Sequence, residues 1–164
     1  YRDSEPALAA EVAAVTLRPP DRAVHDGATL QLGGRTVRLR HHGRGHTDHD
    51  LVVVVPDARV VCTGDLVEAG APPSFEDSYP LEWPATLAAV LRELSGPVVP
   101  GHGAVVDAAY AQAQHAELAT LEWLCREGHA DSAPVAEVAA RSPFGAAASR
   151  IAVERAYADL DGRL

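Results

Sequence analysis

Three residues of types that bind metal ions stand out along the chain: His46, Asp65 and His102, each preceded by a glycine. Imidazole and carboxylate groups are common zinc ligands. The residues are 19 (65−46) and 37 (102−65) positions apart, so only folding brings them together. A single loop histidine is more often solvated than ligating. Three such residues at strand ends, each beside a small residue that lets the backbone approach a ligand, predict a shared metal site.

Apolar and alternating segments predict the elements that would position these residues. Two apolar runs, 50–55 and the run 58–65 that ends at Asp65, predict buried strands, and a very short strand at 97–99 precedes the turn that carries His102. Further antiparallel strands, joined by hairpins, are predicted near 12–18, 22–24, 28–32 and 35–41. Helical spacing predicts helices at 80–95, 107–127, 132–140 and 147–161, while residues 1–11 show no period that assigns them.

The composition disfavours several classes of partner. A net charge of −9 and a pI near 5.2 argue against nucleic acid and anionic membranes, because both would repel the average surface. No run approaches the roughly 20 apolar residues of a membrane helix. The chain has no Lys, which excludes Schiff-base chemistry and a P-loop lysine. Two cysteines are too few for a disulfide framework, so we expect a soluble protein of the cytoplasm.

Three motifs carry a resemblance to a known family. The strings GRGHTDHD, VVCTGDLV and VVPGHG, in this order, resemble the second half of the metallo-β-lactamase fold superfamily over about residues 12–106. The resemblance implies an α/β fold, part of a four-layer αβ/βα sandwich that holds two zinc ions at one edge when complete. It also implies a role for each residue: His46 as a ligand of the first metal, Asp65 as the catalytic carboxylate bridging both metals, and His102 as a ligand of the second.

One signature of the family does not occur in this sequence. The string H-x-H-x-D-H, which supplies the remaining ligands in the family, is absent, and the adjacent His41 and His42 do not replace it because neighbours on a strand point to opposite faces. We therefore expect a partial metallo-β-lactamase-like domain at 1–106 and a helical segment at 107–164. The absence of Met agrees with a missing upstream portion. The expected partner is the N-terminal half of the same fold, or a second copy of the chain.

The resemblance implies a zinc-dependent hydrolase that acts on a small molecule. A metal hydroxide would attack an ester, thioester, lactone or amide, with other divalent transition metals as alternatives to zinc. Glu68 stands where a β-lactamase commonly has a cationic or amide side chain, which favours a general hydrolase over an antibiotic-resistance enzyme. The alternative is a non-catalytic, metal-deficient interaction or assembly module derived from this fold.

Residues around these motifs have more than one interpretation. Asp50 is either a local cap for backbone N–H groups or a group that orients a metal ligand. Asp48 could lie near the metals, whereas His49 is expected to be a partly exposed histidine that binds none. The Pro-rich connection 68–83 either lines a substrate pocket with its aromatic residues or is held by them to the core. The C-terminal helices are either a substrate-binding cap or packing.

Overall fold

The computed structural model describes residues 5–164, so the first four residues of the predicted domain 1–106 lie outside the described residues. Ten elements follow one another along these described residues. The strands are β1 (Gly27–Leu32), β2 (Arg35–Arg40), β3 (Val52–Val55), β4 (Val60–Glu68) and β5 (Val98–His102). The helices are α1 (Pro6–Ala14), α2 (Trp83–Leu91), α3 (Ala108–Ala130), α4 (Val135–Arg141) and α5 (Ala146–Leu160). The predicted α/β fold class is confirmed.

The five strands form one sheet in chain order. The first four strands pair antiparallel, as predicted for hairpins, and β1 turns into β2 through Gly33 and Gly34, whose positive φ angles of 58° and 85° suit a two-residue hairpin turn. β5 pairs parallel to β4, after a connection that contains α2. Parallel strands run in the same direction, so the C-terminal ends of β4 and β5 lie side by side at one end of the sheet.

One face of the sheet is packed against helices. Val52, Val54 and Val61 are buried and belong to the same apolar core as Leu87 and Val90 of α2. This core continues into α3, α4 and α5, so residues on both sides of the predicted boundary at 106 and 107 pack together. The division of the chain into two parts at that boundary stays a prediction.

The other face of the sheet is apolar as well but lies outside the buried core. Its residues follow from the strand registers, since Leu39 pairs with Val53 and Val53 pairs with Cys62, and paired residues share a face. All of them are half-buried, and we call this set the open face. It consists of Ala28, Leu30, Val37, Leu39, Val53, Val55, Val60, Cys62 and Val99.

Two predicted strands are wrong. The segment 12–18 begins within α1 and continues as irregular chain, and residues 22–24 form no strand. Alanine-rich sequence favours the helix, and the pair Pro19-Pro20 has no backbone N–H to donate to a sheet. The four later helices are confirmed with small shifts of their ends. The predicted helix 80–95 is the most shortened, to 83–91, with Pro84 in its first turn.

Among residues 5–164, no helix is both long enough and apolar enough to cross a membrane.

Candidate metal centre

His46 lies in the connection between β2 and β3, and Asp50 fixes the shape of this loop. The Asp50 carboxylate accepts hydrogen bonds from the Thr47 backbone N–H at 2.9 Å and from the Thr47 hydroxyl at 2.8 Å. It also lies 3.8 Å from Nδ1 of His46. The imidazole meets the Trp83 ring edge-on, with centroids 5.9 Å apart. Asp50 thus caps a local backbone N–H, as in the first of its two predicted interpretations, and its carboxylate also lies beside the imidazole.

Asp65 lies between the two histidines. Its Oδ2 is 3.8 Å from Nδ1 of His46, and its Oδ1 is 3.5 Å from Nε2 of His102. Each carboxylate oxygen therefore faces a different imidazole. The structure brings the three predicted residues to one edge of the sheet, although their roles as ligands stay a prediction. The His102 side chain is 74% exposed, so this side of the group is open to solvent.

Glu68 is a fourth member of the group and was not among the predicted site residues. His46, Asp65 and Glu68 each offer one donor atom, and these three atoms lie within 4.8 Å of one another. In a regular strand, residues three apart point to opposite faces. β4 is irregular here, with register shifts against β5 between Cys62 and Gly64 and between Gly64 and Glu68. The only sequence signal was a glutamate closing an apolar strand after Asp65.

Burial raises the pKa of the Glu68 carboxyl, and the neighbouring Asp65 carboxylate acts in the same direction. The residue is only 6% exposed. Two carboxylates in one partly buried group repel each other when both are ionised. A divalent cation between them would reverse this repulsion.

The donor set fits a transition metal. Ligand atoms about 2.0–2.1 Å from a tetrahedral zinc ion are roughly 3.4 Å apart. The measured separations of 3.5 and 3.8 Å around Asp65 are close to this value, so small side-chain movements would close the group on an ion. Imidazole nitrogen and carboxylate oxygen together suit zinc and neighbouring divalent metals. With four side chains, the group does not supply four ligands to each of two ions.

Glycines give the site its close backbone approaches, as the sequence predicted. A Cβ on Gly101 would lie 1.8 Å from Oδ1 of Asp65, and a Cβ on Gly45 would lie 2.5 Å from the Leu66 side chain. Gly103 has a φ of +86°, and a Cβ there would lie 2.0 Å from the Ala69 carbonyl oxygen. The space beside Asp65 therefore exists only because position 101 has no side chain.

Side chains from two helices hold the last residues of β4. The amide of Gln114, in α3, donates to the Leu66 carbonyl at 3.0 Å and accepts from the Glu68 backbone N–H at 3.1 Å. The hydroxyl of Tyr110 donates to the Glu68 carbonyl at 3.0 Å. The indole N–H of Trp83 also donates to Leu66, at 3.2 Å. The strand segment between the candidate ligands is thus fixed by α2 and α3 as well as by β5.

In the connection 68–83, the structure supports the second predicted interpretation, in which the aromatic residues hold the connection to the core. Phe75 and Trp83 are buried and pack edge-on with ring centroids 5.6 Å apart, and Phe75 also contacts Phe144. These aromatic residues hold the connection to the core. Tyr79, which is half-buried, stacks with the guanidinium of Arg44 at 4.3 Å. The aromatic wall predicted for a substrate is therefore not formed by the two buried rings.

The Pro-rich start of the same connection does border a cavity. The cavity has a volume of about 300 Å³ and lies between this connection, α3 and the α4–α5 junction. Glu68 borders both this cavity and the metal-ligand group. Its other walls include Pro72, Tyr110, Gln114 and Phe144.

Asp48 and His49 are paired with each other on the surface, and neither is part of the metal-ligand group.

Gln114→Ala is expected to lower the free energy of unfolding by about 1–3 kcal/mol, because it leaves the buried Glu68 N–H without an acceptor. Urea unfolding followed by circular dichroism measures the change. Gln112→Ala, an exposed position on the same helix, is the matched control and should change stability by less than about 0.5 kcal/mol. Equal effects of the two substitutions would contradict a role for Gln114 in holding β4.

Gly101→Ala is expected to weaken zinc binding at least about tenfold, because the added methyl group would displace the Asp65 carboxylate. Zinc competition against a chromophoric chelator measures the affinity. Gly33→Ala is the control, since a Cβ there meets nothing within 4 Å and only the positive φ is strained. Unchanged zinc affinity in Gly101→Ala would show that Asp65 takes no part in binding.

Comparison with known proteins identifies metallo-beta-lactamases as relatives of this chain. A family model described as the metallo-beta-lactamase superfamily matches residues 2–118. A metallo-beta-lactamase type 2 from Bacillus cereus is 32% identical over 83 residues, which cover 48% of this chain and 32% of that protein. The chain thus spans about a third of the length of this relative.

Solved structures support the same fold. A metallo-beta-lactamase from Pontibacter korlensis superposes with a TM-score of 0.57 and 26% identity, over 68% of this chain and 53% of that one. An inverting sec-alkylsulfatase from Pseudomonas sp. superposes with a TM-score of 0.72 over 88% of this chain and 27% of its own, at 15% identity, which shows likeness of fold alone. The family match extends over all three motifs and most of the chain. The chain therefore belongs to the metallo-β-lactamase superfamily.

Proposed function

We propose that this chain carries part of the active site of a zinc-dependent hydrolase whose substrate is a small molecule with an ester, thioester, lactone or amide carbonyl. The observation that carries the proposal is the position of Asp65, whose two oxygens face the imidazoles of His46 and His102 at 3.8 and 3.5 Å. A carboxylate that faces two separate imidazoles is suited to join two metal sites. Membership of the superfamily supports a metal-dependent hydrolase in general terms.

In this proposal, each of the predicted ligands would have its own role in holding the metal ions. His46 would hold the first ion, His102 the second, and Asp65 both. Zinc, when bound, supplies Lewis acidity and lowers the pKa of water to near neutrality. Asp50 and Trp83 restrict the His46 ring, and Gln114 holds the backbone beside Asp65, so these groups keep the ligands in place before substrate arrives. The cytoplasm stays the proposed location.

The cavity beside Glu68 is proposed to receive one part of the substrate. Its walls include small apolar groups such as Ala71 and Pro72, the phenolic group of Tyr110, and the carboxyl groups of Glu68 and Glu117. The negative charge of Glu117, which is exposed on this wall, would repel an anionic substrate group. This favours neutral or cationic substrates over the carboxylate-bearing drugs that a β-lactamase hydrolyses.

The apolar open face is consistent with a partner element that would cover it. Nine half-buried apolar residues on one side of a sheet form a contiguous surface of the kind that is normally covered. We propose that the first half of the same fold packs against this face and adds the ligands that this chain lacks. A non-catalytic module stays the alternative, because the H-x-H-x-D-H string is absent from this sequence.

Asp65→Asn is expected to remove at least about 99% of hydrolytic activity from the longer protein that contains this chain, together with most of its bound zinc. Activity is measured against a panel of a p-nitrophenyl ester, a glutathione thioester, a homoserine lactone and a cephalosporin, and bound metal by mass spectrometry. Asp77→Asn, at an exposed position in the connection 68–83, is the control. A metal content below about one ion per chain, with no hydrolysis of any panel member, would favour the non-catalytic module.

Leu30→Glu is expected to reduce self-association of the 164-residue chain, because it places a charge on the open face. Analytical ultracentrifugation measures the distribution of species. Thr29→Glu adds the same charge to the opposite side of the same strand and should leave association unchanged. A wild-type chain that is a clean monomer at micromolar concentrations would contradict the need for a covering partner.

A further inference from the structure

We propose that Glu68 is itself a metal ligand, and that with His46 and Asp65 it forms a three-donor site for one divalent transition metal, carried entirely by this chain. The family resemblance implied ligands only at His46, Asp65 and His102. The proposal concerns metal binding and holds whether or not the complete protein is a hydrolase.

The first argument is the burial of Glu68 without an opposite charge. The residue is 6% exposed, and glutamate is rarely buried to this extent unless it is paired. Within residues 5–164, no arginine or histidine forms an ion pair with it, and the chain contains no Lys. A buried carboxylate without such a partner carries a large desolvation cost, which a bound cation would offset.

The second argument is that the protein contacts of the Glu68 carboxylate are weak. Within the described part of the chain, its one hydrogen bond comes from the Ser74 backbone N–H at 3.5 Å. This length is beyond the usual 2.7–3.2 Å range of an N–H···O bond. A carboxylate whose purpose was to hold the connection after β4 would have closer donors. The side chain instead approaches the donor atoms of His46 and Asp65 within 4.8 Å.

The third argument is that the backbone of Glu68 is fixed independently of its carboxylate. Its N–H is bonded to Gln114 and its carbonyl to Tyr110, at 3.1 and 3.0 Å. The carboxylate is therefore presented to the group from a rigid position and is not needed to maintain the strand. Rigid presentation of donors is what a metal site requires.

His102 distinguishes this site from one centred on the second predicted metal. It approaches Asp65 but is not part of the group formed by His46, Asp65 and Glu68, and its side chain is largely exposed. The first ion should therefore be held without it. His102→Ala is expected to leave the affinity for this ion within about twofold of the wild type.

The test uses the metal-free 164-residue chain, titrated with Zn²⁺ against a chromophoric chelator and with Co²⁺ followed by visible absorption. Wild type should bind one ion per chain. Glu68→Gln, which keeps the shape but removes the charge, should weaken binding at least about 100-fold, since losing even an outer partner of a metal ligand costs about 10–100-fold. It should also change the Co²⁺ spectrum, because the set of ligand atoms differs.

Glu117→Gln is the matched control, because Glu117 is an exposed carboxylate that borders the same cavity. It should bind like wild type, which separates ligation from a general effect of charge. His46→Ala and Asp65→Asn should both abolish binding. Circular dichroism of each metal-free variant confirms folding, and Glu68→Gln is expected to stay folded because its backbone contacts remain.

Two results would overturn the proposal in different ways. If His46→Ala and Asp65→Asn lose the ion while Glu68→Gln retains wild-type affinity and spectrum, Glu68 is not a ligand, but the metal centre and the proposed hydrolase stand. If the wild-type chain binds no ion at micromolar concentrations, the three-donor site is wrong, and the hydrolase is judged separately on the longer protein.

Discussion

The candidate site depends on the parallel pairing of β4 with β5 and on the point where that pairing becomes irregular. The pairing places Glu68 opposite His102, at the same edge of the sheet. The register shifts on either side of Gly64, which has a φ of +55°, release the strand from strict alternation. Asp65 and Glu68 consequently contribute to one group of donor atoms. A fully regular strand would have separated them.

Where the regular pairing of β4 with β5 is interrupted, the backbone of β4 needs other hydrogen-bond partners. In this protein those partners are side chains: Gln114 and Tyr110 from α3, and the indole of Trp83 from α2. The helices after residue 106 are therefore more than packing on the sheet, since one of them holds the segment that carries the candidate ligands. Any change that shifts α3 relative to β4 should move Glu68 before it moves His46, whose loop is held by Asp50.

Much of this arrangement could be predicted from the sequence, and the exceptions have physical reasons. The strands around His46 and Asp65 were recognisable because buried strands give uninterrupted apolar runs, and the glycines beside the candidate ligands indicated close approaches that the structure contains. Glu68 was overlooked as a site residue because the two-residue period of a strand places it away from Asp65. The irregularity that overrides this period depends on pairing with β5, which no local pattern records. The hydrogen bonds between Gln114 and the β4 backbone could not be predicted either. In the sequence, a glutamine that becomes buried on a helix cannot be distinguished from an exposed one.

The two faces of the sheet differ in how well they are covered. The helix-covered face contributes to a continuous buried core, whereas the open face leaves nine apolar residues half-exposed. Apolar burial is worth roughly 25 cal/mol per Å², so a surface of this kind gains stability from any element that covers it. The four side chains of the candidate metal group would likewise be too few to coordinate two zinc ions, which need about four donors each. A single covering element that ended at the same sheet edge would satisfy both, because it would bury the open face and place its own side chains beside His46 and His102.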